Sequence, residues 1–342
     1  MHPDWLAFIT SAGGTAQADG RVGFPDPANA LAATGSGLVA DLSHFGLVRF
    51  SGADAQAFLQ GQVSCDVAAI ADGAIALGSY CTPKGRMLAT FLLWREGDAY
   101  SMLLSRSIAP AIAKRLKMYV MRSKVVTEDL SDATVLLGLG GDKAAAALAG
   151  LAAAPLPPAG TLLRVAGLGA IVSLADGRFL LACDDAPAAI RAWASLRAQL
   201  AAGGAAAWDW MDIRSGTPML TAPVQEQFVP QMANLELIGG VSFKKGCYPG
   251  QEIVARTQYL GKVKRRMFRA RVSEAAQAGD ELFSDDTNGQ SNGMVLSAQP
   301  APGGAWEALV VVQLASKETS RVRLRSPAGP VLEFIDLPYQ VA

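Results

Sequence analysis

The chain has 342 residues, of which 51% are hydrophobic and 35 are glycine, and its 30 acidic side chains balance 30 basic ones. This length predicts two or three domains, and the hydrophobic content excludes a disordered chain. The neutral charge balance argues against general, non-specific nucleic-acid binding, although it is compatible with a local basic face.

The cysteine and histidine content predicts a cytoplasmic protein with reduced thiols and no stable metal site. The four cysteines are far apart and form no Cys-x-x-Cys pair, and only two histidines are present: Cys65, Cys81, Cys183, Cys247, His2 and His44. No apolar run reaches the roughly 18 residues of a membrane span. A signal peptide is not predicted, because residues 5–9 are too short an apolar run and no lysine or arginine precedes them.

The first half of the chain predicts an α+β arrangement with antiparallel sheets. Residues 1–37 predict a helix and loose connections, and residues 38–50 predict strands. Residues 51–54 have the form of a capping box before a short helix. The patterns that follow predict a β-β-β-α-β order, which a second stretch repeats loosely. The predicted elements are strands 75–81, 86–94 and 100–104, helix 108–118 and strand 124–128, then strand 135–139, helix 143–153, strands 162–165, 171–174 and 179–183, and helix 187–200.

The last third predicts a small antiparallel barrel or sandwich. A strand opened by Trp208 is expected over residues 208–216. From residue 263 onward the pattern indicates short strands with no helix between them, at 267–272, 282–284, 293–296, 309–314, 322–324 and 331–334.

The stretch 244–252, which reads KKGCYPGQE, indicates a stiff loop that presents a thiol. Its glycines allow unusual backbone angles, and its proline fixes one φ angle. The residues before it, 238–243, have a strand-like pattern. Two lysines beside Cys247 would lower the thiol pKa and favour the thiolate. The alternative is that Cys247 is a small buried hydrophobe. Gln251 and Glu252 either bind the polar edge of a ligand or brace the loop.

Two basic runs are candidates for contact with an anionic partner. The first suits a polyglutamyl tail, an acidic protein surface or RNA phosphates, and a solvated strand face is the alternative. It consists of Lys244, Lys245, Arg256, Lys262, Lys264, Arg265, Arg266, Arg269 and Arg271. For the second run, an ordinary helix surface is the favoured interpretation. It consists of Arg106, Lys114, Arg115, Lys117, Arg122 and Lys124.

These motifs resemble the YgfZ/GcvT family, which contains the folate-binding YgfZ proteins and the related glycine-cleavage aminomethyltransferase. The strongest match is the stretch 245–252, KGCYPGQE, which resembles the family signature K-G-C-Y-x-G-Q-E. Further resemblance lies at 52–67, 84–86, 229–243, 254–256 and 337–339, so that it covers nearly the whole chain.

The resemblance implies a three-domain ring with a tetrahydrofolate pocket in the middle. Two domains would be ferredoxin-like α+β domains and the third a C-terminal antiparallel β-barrel. The implied division is residues 1–48 with 130–260, which would carry the signature loop and bind folate, then 49–129, and then 261–342.

The resemblance also implies site residues. Cys247 would be the functional thiol, with Lys245 and Glu252 beside it. Its chemistry would be redox, a transient sulfur or cluster ligand, or capture of a folate-derived one-carbon unit. Trp208 and Phe45 would stack on folate rings, and the remaining folate contacts would come from Asp212, Arg214, Tyr248 and Gln251.

The family role implied is the upkeep of iron–sulfur proteins, including radical enzymes that thiolate tRNA. Whether the chain is itself an enzyme stays open. One alternative is a folate-dependent one-carbon transferase or demethylase, and another is an RNA- or protein-binding scaffold using the basic 244–271 face.

Two departures from the family pattern weaken parts of this interpretation. Relatives carry an acid where this chain has Arg214, for which Asp212 would substitute if the segment is a strand. The turn 81–86 lacks the aspartate that aminomethyl transfer needs.

Overall fold

A computed structural model describes residues 1–261 and 263–341. The α-helices within those ranges are α1 (Pro3–Ser11), α2 (Pro27–Ala33), α3 (Ala55–Gln60), α4 (Ala109–Met118), α5 (Ala144–Ala152), α6 (Ala186–Arg197), α7 (Ala205–Ser215), α8 (Gln251–Tyr259) and α9 (Leu314–Thr319). Short 3-10 turns lie at Val67–Ala69, Ala222–Val224, Pro230–Ala233 and Asp285–Thr287.

The strands are numbered in the same way along the chain. They are β1 (Thr15–Ala16), β2 (Val22–Gly23), β3 (Leu38–Asp41), β4 (Phe45–Ser51), β5 (Ile75–Cys81), β6 (Met87–Glu96), β7 (Ala99–Ser105), β8 (Val126–Asp129), β9 (Val135–Gly140), β10 (Leu162–Val165), β11 (Gly169–Ser173), β12 (Phe179–Cys183), β13 (Ala201–Gly203), β14 (Arg265–Val272), β15 (Glu281–Ser284), β16 (Ser291–Pro300), β17 (Trp306–Gln313), β18 (Val322–Leu324) and β19 (Glu333–Ile335).

The chain divides into two compact units. Unit 1 comprises residues 1–58, 68–76 and 92–208, and unit 2 comprises residues 59–67, 77–91 and 209–342. Each unit is therefore assembled from segments that are distant in sequence. The three-part division implied by the family resemblance stays a prediction.

The larger sheet of unit 1 has the order β10-β11-β12-β9-β3-β13. Only the β13–β3 pair is parallel. Strands β9, β11 and β12 are buried along their whole length. Helices α1, α5 and α6 cover one face of the sheet with Trp5, Leu148 and Trp193. Helix α6 begins at a cap, where the Asp185 carboxylate accepts a hydrogen bond from Ala188 N at 2.7 Å.

A second sheet has the order β5-β6-β7-β4-β8, and the division between the units falls within β5 and β6. Its strand β8 is an edge strand that pairs with β4. Helix α4 buries Ile112 and Leu116 on one side and exposes Lys114 and Lys117 on the other, which is the helical spacing of an amphipathic surface helix.

The C-terminal sheet of unit 2 has the order β18-β15-β16-β17-β14-β19. The pairing of the named strands gives an open sheet, but the sheet curls so that residues 330–332, just before β19 at one edge, contact β18 at the other edge. Leu332 N donates to Val322 O at 2.8 Å, and Leu324 N donates to Pro330 O at 2.9 Å. The predicted antiparallel barrel is thus confirmed as a curled sheet, and full closure stays a prediction.

The predicted α+β class and the antiparallel pairing are confirmed, whereas three local predictions are wrong. Residues 205–215 form helix α7 rather than a strand. Helix α9 interrupts the C-terminal strands. Residues 238–243 form turns and no strand. Across residues 1–261 and 263–341, none of the helices combines the length and apolar character that crossing a bilayer demands.

Candidate functional site

The loop 244–250 lies in unit 2 and leads directly into helix α8 (Gln251–Tyr259). The sequence pattern predicted the loop but not the helix. Gly250 is the N-cap of α8 with a φ of 83°, and Glu252 lies in its first turn. An acid at that position is favourable, because the helix N-terminus carries partial positive charge.

Lys245 anchors this loop to a distant segment of the same unit. Its Nζ donates three hydrogen bonds, to the carbonyl oxygens of Gln60 at 2.7 Å, Val63 at 2.6 Å and Cys65 at 2.8 Å. The residue is 8% exposed. An ammonium group has three donors, so this set of carbonyls satisfies all of them. We call this arrangement the carbonyl cage.

Burial lowers the pKa of Lys245 to about 8, while the negative charge of Asp66 opposes that shift. The three carbonyl oxygens favour the charged form as well, since each accepts a short hydrogen bond from it. The amine is therefore protonated at neutral pH. Its ammonium is committed to the cage, so of the two flanking lysines only Lys244, which is exposed, is left to act on Cys247 as a free charge.

Tyr248 packs beneath the same lysine. Lys245 Nζ lies 5.2 Å from the centroid of its ring, a cation–π distance. The side chain is 6% exposed, and burial raises the pKa of its hydroxyl. Within the described residues, that hydroxyl has no hydrogen-bond partner. A buried polar atom without a partner is what a polar ligand edge or an ordered water would satisfy.

Gly250 is required by both its conformation and its surroundings. A Cβ atom at this position would lie 2.4 Å from Thr82 O and 2.7 Å from Gly85 Cα. Gly85 in turn lies against Ile253, whose Cβ would be 3.0 Å from an added Cβ at Gly85. The signature loop and the Thr82–Arg86 turn therefore touch backbone to backbone, and the two glycines make that approach sterically feasible.

Cys247 is exposed, whereas the other three cysteines are buried. The alternative that Cys247 is a small buried hydrophobe is therefore wrong. Burial raises the pKa of the Cys65, Cys81 and Cys183 thiols to about 12. Because the thiolate is the reactive form, these three are chemically inert near neutral pH. The loop thus presents a single accessible sulfur on a backbone held from both sides.

The two residues after the loop differ in exposure. Gln251 is half-buried and donates from Nε2 to Lys245 O at 3.5 Å, which braces the loop only weakly. Glu252 is exposed. Both lie in the first turn of α8, directly after the loop, so their proximity to Cys247 and Tyr248 follows from the order of the chain.

The two predicted stacking aromatics lie in unit 1, and both are covered. Trp208 is 2% exposed, packs against Gly138 and has the guanidinium of Arg178 4.4 Å from its ring centroid. Phe45 is also 2% exposed and lines a pocket with Trp5 and Arg106. That pocket holds about 10 Å³, which is room for roughly one water molecule and not for a pterin ring.

Asp212 and Arg214 lie on helix α7, so the expectation that they share a face of a strand is wrong. Residues two apart on a helix point in different directions. Asp212 is 8% exposed, whereas Arg214 is exposed and stacks its guanidinium 4.9 Å from the centroid of the Trp210 ring. The pattern at 208–216 misled because Trp208, Asp209 and Trp210 alternate as in a strand, and a short helix gives too few turns to show its own period.

The first basic run does not form one basic face, which corrects that prediction. Arg266 pairs with Glu236, and both Arg269 and Arg271 pair with Glu307, which is 2% exposed. Lys245 is in the carbonyl cage, and Lys262 lies outside the described residues. Exposed positive charge is left mainly at Lys244, Arg256 and Lys264.

Sequence reasoning missed the buried polar groups that support this unit. Trp210 Nε1 donates to Glu307 at 3.2 Å, and Tyr339 Oη donates to Gly216 O at 2.8 Å. Their partners lie 97 and 123 residues away in the chain. No local pattern could have indicated those pairs.

Comparison with known proteins places these features in a family. A model of the GCVT N-terminal domain matches residues 28–160. The tRNA-modifying protein YgfZ of Edwardsiella ictaluri is 35% identical over 298 residues, covering 85% of this chain and 89% of that protein. Its counterpart from an Enterobacter species is 35% identical over 305 residues, covering 88% and 92%.

The fold matches a solved structure. The crystal structure of glycine cleavage system aminomethyltransferase T from Bartonella henselae superposes with a TM-score of 0.83 at 20% sequence identity, covering 99% of this chain and 98% of that one. At that identity the match concerns the fold alone. Taken with the sequence relatives and the signature loop, it leads to one conclusion: the chain belongs to the YgfZ family of GcvT-like proteins.

Proposed function

We propose that this chain is a cytoplasmic folate-binding accessory protein that supports tRNA modification through the upkeep of iron–sulfur enzymes, with Cys247 as its working thiol. The observation that carries the proposal is the exposed Cys247 on a loop held by Lys245 and Gly250, in a chain 35% identical to proteins named tRNA-modifying. A thiol that only filled space would not need so constrained a backbone.

Tetrahydrofolate fits the described side chains in part. The unpartnered hydroxyl of Tyr248 and the amide of Gln251 suit the polar edge of a pterin, and Arg214 would meet an anionic tail. Stacking on Trp208 or Phe45 requires side chains to move, because both rings are covered.

The three-domain ring with a closed barrel and a central pocket belongs to this proposal. So does service to iron–sulfur clients, including the enzymes that thiolate tRNA. When bound, the folate would supply a one-carbon carrier. The described side chains would orient it and leave the Cys247 sulfur accessible to a partner.

Aminomethyl transfer is a weaker candidate despite the shared fold. The turn at Thr82–Arg86 contains no carboxylate, and its charged side chains are those of Lys84 and Arg86. If the chain were a one-carbon transferase, incubation with tetrahydrofolate and small methylamines would produce methylene-tetrahydrofolate. We expect none.

Two experiments test the proposal. Tetrahydrofolate binding is measured by calorimetry for the wild type and for Tyr248→Phe, which removes only the unpartnered hydroxyl. We expect binding to the wild type and roughly tenfold weaker binding to the variant, a loss of about 1.4 kcal/mol. Absence of binding to the wild type at millimolar folate refutes the folate assignment.

The second experiment is complementation of a bacterial strain lacking its YgfZ protein, read as thiolated nucleosides in bulk tRNA. We expect the wild type to restore them and Cys247→Ser to fail, with an unchanged thermal unfolding midpoint. The matched control is Gly246→Ala, one residue away, where an added methyl group meets nothing within 4 Å. Full complementation by Cys247→Ser rejects the thiol's role.

A further inference from the structure

A second surface, in unit 1, stands out because large apolar side chains are exposed among bases. Its apolar members are Met118 (65% exposed), Tyr119 (49%), Met121 (87%) and Val126 (56%). Its basic members are Lys114, Lys117, Arg122 and Lys124, all exposed. We call this set the apolar–basic patch.

The patch lies along one continuous stretch of chain, from α4 to the start of β8. Lys114, Lys117 and Met118 are spaced three and four residues apart on α4, so they share its solvent face. The opposite face buries Ile112 and Leu116. The chain then turns through Met121 and Arg122 and returns as the edge strand β8, which begins at the exposed Val126.

The patch is held in one conformation by backbone hydrogen bonds. Tyr119 N donates to Leu116 O at 2.9 Å, and Ser123 N donates to Val120 O at 2.8 Å. Lys124 N donates to the Asp54 carboxylate at 2.7 Å, and Asp54 N donates back to Lys124 O at 3.3 Å. The exposed side chains therefore stand on an ordered turn.

Met121 adopts a φ of 46°, in the left-handed region. For a residue with a long side chain this costs on the order of 1–3 kcal/mol. The strain gives the side chain no burial in return, since Met121 is the most exposed of the large apolar residues described. Folding alone gives no reason for a methionine there, whereas contact with a partner does.

The charge of the patch specifies the partner. Residues 106–127 contain no aspartate or glutamate. Two acids border it: Asp54, whose carboxylate accepts a hydrogen bond from Lys124 N, and Glu128, which lies opposite Arg49 in the sheet. Four bases against these two acids leave the patch net positive in a chain of zero net charge, which favours an anionic partner. A second copy of the chain would bring the same positive charge against it.

The apolar members decide the class of the anionic partner. Exposed apolar surface of this size, on the order of a few hundred Å², is typical of interaction sites. Methionine, tyrosine and arginine are the types enriched in protein–protein contacts. RNA would instead use rings for base stacking, and only Tyr119 offers one. Surface membrane helices use tryptophan, phenylalanine and leucine, which the patch lacks.

We propose that the apolar–basic patch is a docking surface for an acidic, amphipathic helical protein segment that combines carboxylates with aliphatic side chains. The carboxylates meet Lys114, Lys117 and Arg122, while the aliphatic groups cover Met118, Met121 and Val126. This surface does not depend on Cys247 or on folate, so the partner and the thiol chemistry are separable.

The test uses a fluorescein-labelled 18-residue peptide with leucine at positions i, i+3, i+4 and i+7 and glutamate elsewhere. A second peptide replaces every leucine by serine and keeps the charge. We expect the wild-type chain to bind the first at least tenfold more tightly than the second in fluorescence anisotropy, and its affinity to fall with added salt.

Three variants locate the site. Met118→Ser/Met121→Ser/Val126→Thr keeps the charge, and Lys114→Ser/Lys117→Ser/Arg122→Ser keeps the apolar groups. We expect each to weaken peptide binding at least tenfold. The matched control Leu237→Ser/Val331→Thr/Arg321→Ser alters exposed residues of unit 2 and leaves affinity unchanged. Circular dichroism melting verifies that each variant folds.

The proposal is overturned if the apolar variant binds the peptide as the wild type does, or if the serine peptide binds equally well. It is also overturned if bulk tRNA, or vesicles of three parts phosphatidylcholine to one part phosphatidylserine, bind the wild type and lose that binding in the apolar variant. Those outcomes would identify the surface as a nucleic-acid or membrane contact instead.

Discussion

Replacing Lys245 by methionine removes the ammonium from the carbonyl cage while keeping a side chain of similar length. Three acceptors lose their donor: the carbonyls of Gln60, Val63 and Cys65, now 2.6–2.8 Å from Nζ. A hydrogen bond to a charged group contributes about 1.5–3 kcal/mol, and a buried carbonyl without a partner costs about 1–3 kcal/mol. Methionine also avoids burying a charge, which offsets part of that loss. We expect a decrease of about 3 kcal/mol in the free energy of unfolding.

The assay is urea unfolding at pH 7, followed by tryptophan fluorescence and by circular dichroism. The control is Lys244→Met, the neighbouring exposed lysine, whose replacement should change stability by less than about 0.5 kcal/mol. Lys245→Arg keeps the charge but brings a planar fork in place of a compact group with three donors. It should fall between the wild type and Lys245→Met.

A loss below about 0.5 kcal/mol for Lys245→Met would refute the reasoning, because it would mean that the three hydrogen bonds contribute no net stability. Equal losses for the methionine variants at 244 and 245 would refute it too. In that case the effect would belong to the charge of the loop rather than to the cage.

Three further predictions follow from the loop and its thiols. Gly250→Ala should destabilise the chain by more than about 2 kcal/mol in urea unfolding, because the methyl group combines a strained φ with a 2.4 Å approach to Thr82 O; Gly246→Ala, which meets nothing within 4 Å, should be near neutral. Ellman's reagent should titrate one thiol rapidly in the native wild type and none in the native Cys247→Ser variant. In urea it should titrate all four thiols of the wild type. Stability should fall as pH rises above 9, because the Cys65, Cys81 and Cys183 thiols have pKa values of about 12 when folded against 9.0 unfolded. Their contribution is complete below pH 9 and is lost toward pH 12. When the pH is raised from 8 to 10.5, the free energy of unfolding should fall by about 2 kcal/mol less for Cys81→Ala than for the wild type.

Each of these has a contrary outcome. Equal effects of alanine at 246 and 250 would contradict the close approach of the two turns. Rapid labelling of two or more native thiols would contradict the burial of the other cysteines. An identical loss of stability with pH for the wild type and Cys81→Ala would contradict a raised thiol pKa at that site.

The sequence predicted most of the fold because its strands and helices carry local signals. Strands β10, β12 and β18 begin and end where the alternation and flanking turn residues placed them. Helix α6 was predicted from a proline in its first turn followed by an apolar period. Helix α7 was missed because Asp209, Asp212 and Arg214 do not mark one polar face, and Trp208, Asp209 and Trp210 alternate as in a strand.

The candidate site was predictable in its position but not in its connections. The glycines of 246–250 indicated a constrained loop around Cys247, and exposure of that thiol agrees. The direction of the Lys245 side chain was not predictable, because its acceptors are backbone carbonyls 180–185 residues earlier. Any residue type offers a backbone carbonyl, so their sequence carries no mark of the contact. The prediction of one basic surface from the first basic run was wrong for a similar reason. The glutamates that pair with its arginines, Glu236 and Glu307, lie outside that run in the sequence.

The carbonyl cage also has a consequence for biosynthesis. During synthesis, residues 59–67 leave the ribosome long before Lys245 is made. The carbonyl oxygens of Gln60, Val63 and Cys65 therefore have no lysine partner during that interval. Unit 2 therefore completes this contact late, and a contact between segments so distant in sequence slows folding. A fragment beginning at residue 209 would carry the lysine without its acceptors, which makes the C-terminal part a poor choice for expression in isolation.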